Sequence, residues 1–275
     1  MKANAFILPG RIGDALFATA TVRALAKSDA PTLIDWVYDV EYRQFFEWLA
    51  TTDLPVRCYI GIKDPVEQNH LIFRRDWGLR STYGWLKHLP AHNGIYNATL
   101  TRLTPRTSHI AKTIARRCGL DEKVTLDFHL TTKESVTNGG YLLVHSGASD
   151  PARHVPELLS IAWPKGTRAT TYRDEPVPDN VERVACPLFT DLVWQVAHAG
   201  AVVGTSSSVT VLAAMLGKPT LCVHREGVTD QSAGVSIIGP HAVDVLGGYD
   251  AKQIHQLVVD FHSAHCNHRA ELIVA

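Results

Sequence analysis

No stretch of the 275 residues approaches the roughly 20 consecutive apolar residues of a membrane-crossing helix, so no transmembrane segment is expected. Cysteine is scarce and shows no pairing pattern. Cys58, Cys118, Cys186, Cys222 and Cys266 are odd in number, widely spaced and lack a Cys-x-x-Cys pair, which argues against a disulfide framework and for reduced thiols in the cytoplasm. Residues 1–9 carry too short an apolar run for a signal peptide, and the run breaks at Pro9 and Gly10. There is no short-period repeat and no low-complexity tract. An excess of one charge is also missing, because 27 Lys and Arg balance 27 Asp and Glu.

Present instead is the composition of an ordinary globular chain, 45% hydrophobic and 20% charged, with ample material for a core. The length fits two α/β lobes, expected at 1–125 and 126–275. The balanced charge is unevenly spread. Residues 1–120 hold sixteen Lys and Arg against ten Asp and Glu, and residues 121–275 hold eleven against seventeen. Most of the positive excess lies between Arg57 and Arg117 and includes Arg74, Arg75 and Arg80. Such a field attracts an anionic partner; the plain reading is a solvated basic face.

The chain opens as strand (5–8), glycine turn (10–14) and helix, with Leu16, Thr19, Val22 and Ala26 at helical spacing. A second strand is expected at 32–37. Residues 55–105 carry Trp77, Tyr83, Trp85 and Tyr96 among many Gly, Pro, His and Arg residues, and read as loops and short helices on a sheet rim. Residues 107–118 regain helical spacing, with Thr107 or Ser108 as cap and Gly119 as stop. A linker follows at 121–140. The second half repeats the pattern with a strand at 141–144, a loop at 145–149 and a helix near 156–162. Later come a helix capped by Thr190, a strand at 201–203, a loop at 204–208, a helix at 209–216 closed by Gly217, and a strand at 220–223. Strands alternating with helices imply parallel sheets with ligands at the C-terminal strand ends.

The loop Gly204-Thr205-Ser206-Ser207-Ser208 combines a strand-to-helix turn, whose free N–H groups favour anions, with four consecutive hydroxyls. A pyrophosphate suits it, although serines also serve as plain helix caps. A second small-residue loop, His145-Ser146-Gly147-Ala148-Ser149, with Arg153 shortly after, supplies what a nucleotide diphosphate needs for close backbone approach. The spacing Gly10-x-x-Gly13 lacks the third glycine of the dinucleotide fingerprint, which counts against a nicotinamide dehydrogenase. His262, His265 and His268 with Cys266 match no usual zinc spacing, so no metal site is expected.

Four segments together resemble glycosyltransferase family 9, the ADP-heptose:lipopolysaccharide heptosyltransferases. They are Arg11-Ile12-Gly13-Asp14 with its helix, residues 107–120, residues 145–149, and residues 191–219, the last ending Leu212-Ala213-Ala214-Met215-Leu216-Gly217-Lys218-Pro219. The resemblance implies the GT-B fold, two Rossmann-like parallel-sheet lobes with a cleft between them. It implies an N-terminal acceptor lobe, to which Arg11, Gly13, Arg74, Arg75 and Arg80 are assigned, and a C-terminal donor lobe. Asp14 maps to the family's catalytic base. His145, Ser146, Gly147, Arg153, Gly204, Thr205, Ser206, Ser207 and Ser208 map to the donor site. Where the family usually has Asp, Thr or Ser and Gly at the second loop, with a His three residues on, this chain has Ser206, Ser207, Ser208 and Val211. Gly-Asp before an apolar helix is also an ordinary cap, so Asp14 has a structural reading too.

The implied reaction is inverting sugar transfer from a nucleotide-diphosphate donor, without a metal or other cofactor, by a monomer or weak dimer. The acceptor is anionic: a lipopolysaccharide core by resemblance, or hydroxymethylated pyrimidine bases in DNA, as in phage-type enzymes that flip the base out of the stack. A non-catalytic nucleotide-sugar-binding module is compatible with the altered second loop, and a sugar-nucleotide epimerase with the same two-lobe architecture.

Overall fold

The apolar run at the start of the chain forms β1 (Asn4–Ile7) and leads into α1 (Ile12–Ala26). The computed structural model describes residues 3–8, 12–27, 33–62, 94–98, 109–121, 123–132, 136–137, 139–147, 153–171, 177–179, 181–225, 239–245 and 247–266. The chain divides into two units, Met1–Phe128 and His129–Ala275.

The first unit continues with β2 (Ile34–Asp39), α2 (Arg43–Leu49), β3 (Cys58–Ile62), β4 (Ile95–Asn97) and α3 (Ile110–Arg117). Its strands form one parallel sheet in the order β3-β2-β1-β4. A parallel sheet is covered on both faces, and accordingly every residue of β2 is buried. α1 is buried almost all round rather than on one stripe, with Phe17, Ala18 and Ala20 as inaccessible as Leu16 and Val22. An aromatic cluster packs over β2: Trp36 meets Phe6 edge-on at 4.9 Å, and Tyr38 stacks on Phe46 at 4.1 Å.

Three local expectations change here. β3 and β4 lie inside the stretch expected to be loops and short helices, because strands of five and three residues are too short to show alternation. α3 starts at Ile110, and His109 caps it through Nδ1, which accepts from the Ala111 N–H at 3.1 Å. Gly119, at φ 79°, ends this helix as expected. Arg57 is not part of an open basic face, since its guanidinium makes a two-pronged pair with the buried Asp35. Trp77, Trp85, Arg74, Arg75 and Arg80 lie outside the described residues.

The second unit holds β5 (Leu142–His145), α4 (Glu157–Ser160), β6 (Arg168–Thr171), β7 (Glu182–Ala185), α5 (Phe189–His198), β8 (Ala201–Thr205), α6 (Ser208–Met215), β9 (Thr220–Val223), β10 (Ala242–Val245) and α7 (Ala251–Cys266). These strands form a second all-parallel sheet in the order β10-β9-β8-β5-β6-β7. Leu142, Val144, Val203, Leu221 and Val223 pack with Leu158, Ile254 and Val258, each contributing about 1.5–3 kcal/mol relative to exposure. Thr190 lies within α5 rather than capping it; Asp191 Oδ2 instead accepts the Leu188 N–H at 3.0 Å. Gly217, at φ 73°, closes α6 as expected. Among the described residues, no helix is long and apolar enough to cross a membrane.

Candidate functional site

The second sheet is wound outward in both directions from β5 and β8, which are neighbours in space and far apart in sequence. Chain segments leaving the two strands diverge there and open a crevice at the C-terminal ends, where ligands of open α/β sheets bind. His145, Ser146 and Gly147 lie at the end of β5, and Thr205, Ser206 and Ser207 at the end of β8. The structure therefore brings the two small-residue loops of the sequence together in one unit.

The second loop is shorter than its sequence suggests. Gly204 and Thr205 belong to β8 and Ser208 to α6, which leaves Ser206 and Ser207 as the turn. Gly204 is required by close packing, since a Cβ there would clash with the His145 carbonyl oxygen. Ser207 is the helix cap: its N–H donates to Thr210 Oγ1 at 3.1 Å while its own Oγ faces the Thr210 N–H at 3.5 Å. Thr210, not singled out in the sequence, was legible there as the third residue after a serine cap. The first-turn N–H groups of α6 lack intrahelical acceptors by geometry, and together with the helix dipole they favour a phosphate.

Thr205 serves the loops rather than standing free. It is fully buried, and its hydroxyl donates to the backbone carbonyl of Arg153. That bond ties the segment following the first loop to the end of β8. Arg153 itself is half-buried. His145 is buried, with Nδ1 3.2 Å from Thr170 Oγ1 on the neighbouring strand. Burial pulls its pKa down to about 4, so the imidazole is neutral at physiological pH and offers an anion no charge. Val211, where the resembled family has a histidine, is buried in α6.

In the first unit the strand order reverses between β1 and β4, again a switch point. Asp14 follows β1 as the third residue of α1, so it lies in the first helical turn rather than at the cap expected from Gly-Asp. A carboxylate in that turn is stabilised by the helix dipole. Beside it, a Cβ on Gly13 would touch nothing within 4 Å. Arg11, Ala148 and Ser149 lie outside the described residues.

No protein-family model matches the chain, and no curated protein matches it in sequence. Its structure, however, is similar to several solved ones along nearly their full length. Escherichia coli heptosyltransferase WaaC, solved with ADP, matches at a TM-score of 0.62 and 13% identity, over 94% of this chain and 99% of that one. A family 9 glycosyl transferase from Veillonella parvula matches at 0.63 and 10% identity, over 96% and 97%. Escherichia coli ADP-heptose lps heptosyltransferase II matches at 0.63 and 12%, over 95% and 99%. With two all-parallel sheets and these likenesses, the chain has the two-lobe α/β fold of GT-B glycosyltransferases, in the form that the heptosyltransferases display.

Proposed function

We propose that this protein is an inverting glycosyltransferase that binds a nucleotide-diphosphate sugar in its second unit and an anionic acceptor in its first. The observation carrying this reading is the pair of loops after β5 and β8, tied by the Thr205–Arg153 bond at the switch point of the sheet. The ADP bound to the structurally similar WaaC supports a nucleoside diphosphate as the ligand. In the proposed step, Asp14 accepts the proton of an acceptor hydroxyl, whose oxygen bonds to the anomeric carbon of the donor sugar. The bond from that carbon to the phosphate oxygen breaks, its electron pair leaves with the nucleoside diphosphate, and the configuration inverts. The N-terminal turn of α6 and the guanidinium of Arg153 stabilise the charge that develops on the leaving phosphates, a task that Mg²⁺ or Mn²⁺ performs in other transferases. An ordinary aspartate has a pKa of about 3.9, and a general base of this kind acts by being positioned against the acceptor hydroxyl.

Lipopolysaccharide core is the favoured acceptor, in keeping with the names of the similar structures. The test is a screen of nucleotide sugars against truncated lipopolysaccharide core and hydroxymethylated DNA, with mass detection of products. Transfer of one sugar to the core, with turnover indifferent to added Mg²⁺ and lowered in Arg153→Ala, is the expected result. Transfer to DNA alone would replace the acceptor. A changed sugar nucleotide formed without acceptor would indicate an epimerase, and nucleotide-sugar binding without turnover a binding module.

A further inference from the structure

Among the described residues, Cys222, His224 and Asp244 are the group of three metal-capable side chains whose ligand atoms all lie within 4.8 Å of one another. β9 carries Cys222, and His224 follows two residues later, which puts both on one side of the chain in extended backbone. β10 runs alongside with Asp244 in register opposite Cys222, and the His224 N–H donates to the Val245 carbonyl at 2.9 Å. Cys222 is fully buried and His224 nearly so.

The three donors converge on a single atom. His224 Nε2 lies 2.6 Å from Asp244 Oδ1 and 3.5 Å from Cys222 Sγ. A nucleophile–histidine–carboxylate relay uses both ring nitrogens, one for each partner. Here one nitrogen faces both partners, and the Cys222 thiol in turn faces the Asp244 carboxylate and the Thr210 hydroxyl, so the three metal-capable groups surround one small buried space. A single ion would take up all three donor atoms at once. At ~2.3 Å from a thiolate and ~2.0–2.1 Å from an imidazole, a tetrahedral ion spaces those donors roughly 3.5 Å apart, which is the separation found. Only the carboxylate has to withdraw, by roughly 0.8 Å from the imidazole nitrogen, to reach its own ligand distance.

We propose that Cys222 Sγ, His224 Nε2 and Asp244 Oδ1 bind a divalent cation of the zinc class, with a fourth position for water. Thiolate with imidazole selects zinc over the oxygen-seeking Mg²⁺ and Ca²⁺. Binding releases the thiol proton to solvent, and the resulting thiolate and carboxylate balance the dication. Burial and the neighbouring Asp244 carboxylate push the Cys222 thiol well above its ordinary range, so without an ion the proton stays on sulfur and the cation has to displace it. The ion would cross-link β9 to the edge strand β10 of the six-stranded sheet. The site lies next to the proposed donor loops, since Cys222 pairs in register with Gly204 and its thiol faces Thr210, and it uses none of the C-terminal histidines.

The test uses the full chain with Cys58→Ser, which removes the one exposed cysteine. After chelator treatment it is titrated with Zn²⁺ alone and, separately, with Co²⁺. One equivalent of Zn²⁺ should bind at micromolar concentration or below and raise the Tm, and Co²⁺ should give a thiolate-to-metal charge-transfer band. Cys222→Ser should abolish that band, and His224→Ala and Asp244→Asn should each weaken Zn²⁺ binding about 100-fold or more. Asp244→Asn keeps the side chain's size and a hydrogen bond to the imidazole, and circular dichroism checks its fold. Absence of Zn²⁺ binding, absence of the thiolate band in the Cys58→Ser protein, or binding unchanged by the substitutions would each overturn the proposal.

Discussion

Asp14 and His145 both follow a central strand, but their chemistry differs because their surroundings do. Asp14 lies half-buried in the first turn of a helix, beside an open space at Gly13 and where the helix dipole favours negative charge. Asp14→Asn should leave donor binding intact and cut turnover about 10²- to 10⁴-fold, the range for a lost general base. Single-turnover kinetics alongside donor titration would check it, and wild-type turnover would leave Asp14 only a structural role. His145 is buried and held neutral, with its pKa down at about 4. Between about 6.5 and that value the unfolded chain binds a proton that the folded chain refuses, so stability rises with pH in this window. The protein should therefore lose about 2 kcal/mol more than His145→Asn between pH 7 and pH 5, measured by denaturant unfolding. Equal losses would show that the imidazole is protonated in the folded state.

At the scale of elements, α6 depends on its own ends. Ser207 and Thr210 satisfy each other's backbone at the start, and Gly217 at φ 73° stops the helix. Ser207→Ala should cost about 1 kcal/mol, and Ser207→Gly only a few tenths, because glycine tolerates the cap conformation and leaves the N–H groups to water. Thermal unfolding of the two variants separates that effect from the phosphate role: a cap acts on Tm with or without nucleoside diphosphate, whereas a ligand contact changes only the shift that ligand produces. Element boundaries were readable where a single residue decides them. Gly119 and Gly217 mark helix ends through a backbone conformation that other residues resist, and β9 spans 220–223 as its apolar run predicts. They were not readable where several residues can cap. His109 took the place expected of Thr107 or Ser108, and Asp191 bonded the Leu188 N–H where Thr190 was the expected cap, because tertiary packing chose the helix start.

For the whole molecule, the charge split between the halves remains the feature bearing on the acceptor. Arg57 is neutralised by Asp35, so the attraction must come from the other cations of that stretch. If they engage a polyanion, acceptor KM should rise steeply with salt while donor KM barely moves, since screening limits such contacts to about 8 Å at ~0.15 M salt. Charge reversal at Arg74, Arg75 and Arg80 together should raise acceptor KM alone; a rise in donor KM alone would mean that the roles of the two units are exchanged.

Local chemistry, legible residue by residue, accounts for two α/β halves, the alternation of strand and helix, the glycine helix stops and the small-residue loops after β5 and β8. Which strands become neighbours is a property of the folded chain as a whole. That choice set β5 beside β8, buried His145 against Thr170, joined Thr205 to Arg153, and brought Cys222 and His224 to Asp244 on the next strand. Periodicity and turn preference report on a few consecutive residues, whereas strand order is set by how the apolar faces of all the elements are buried at once.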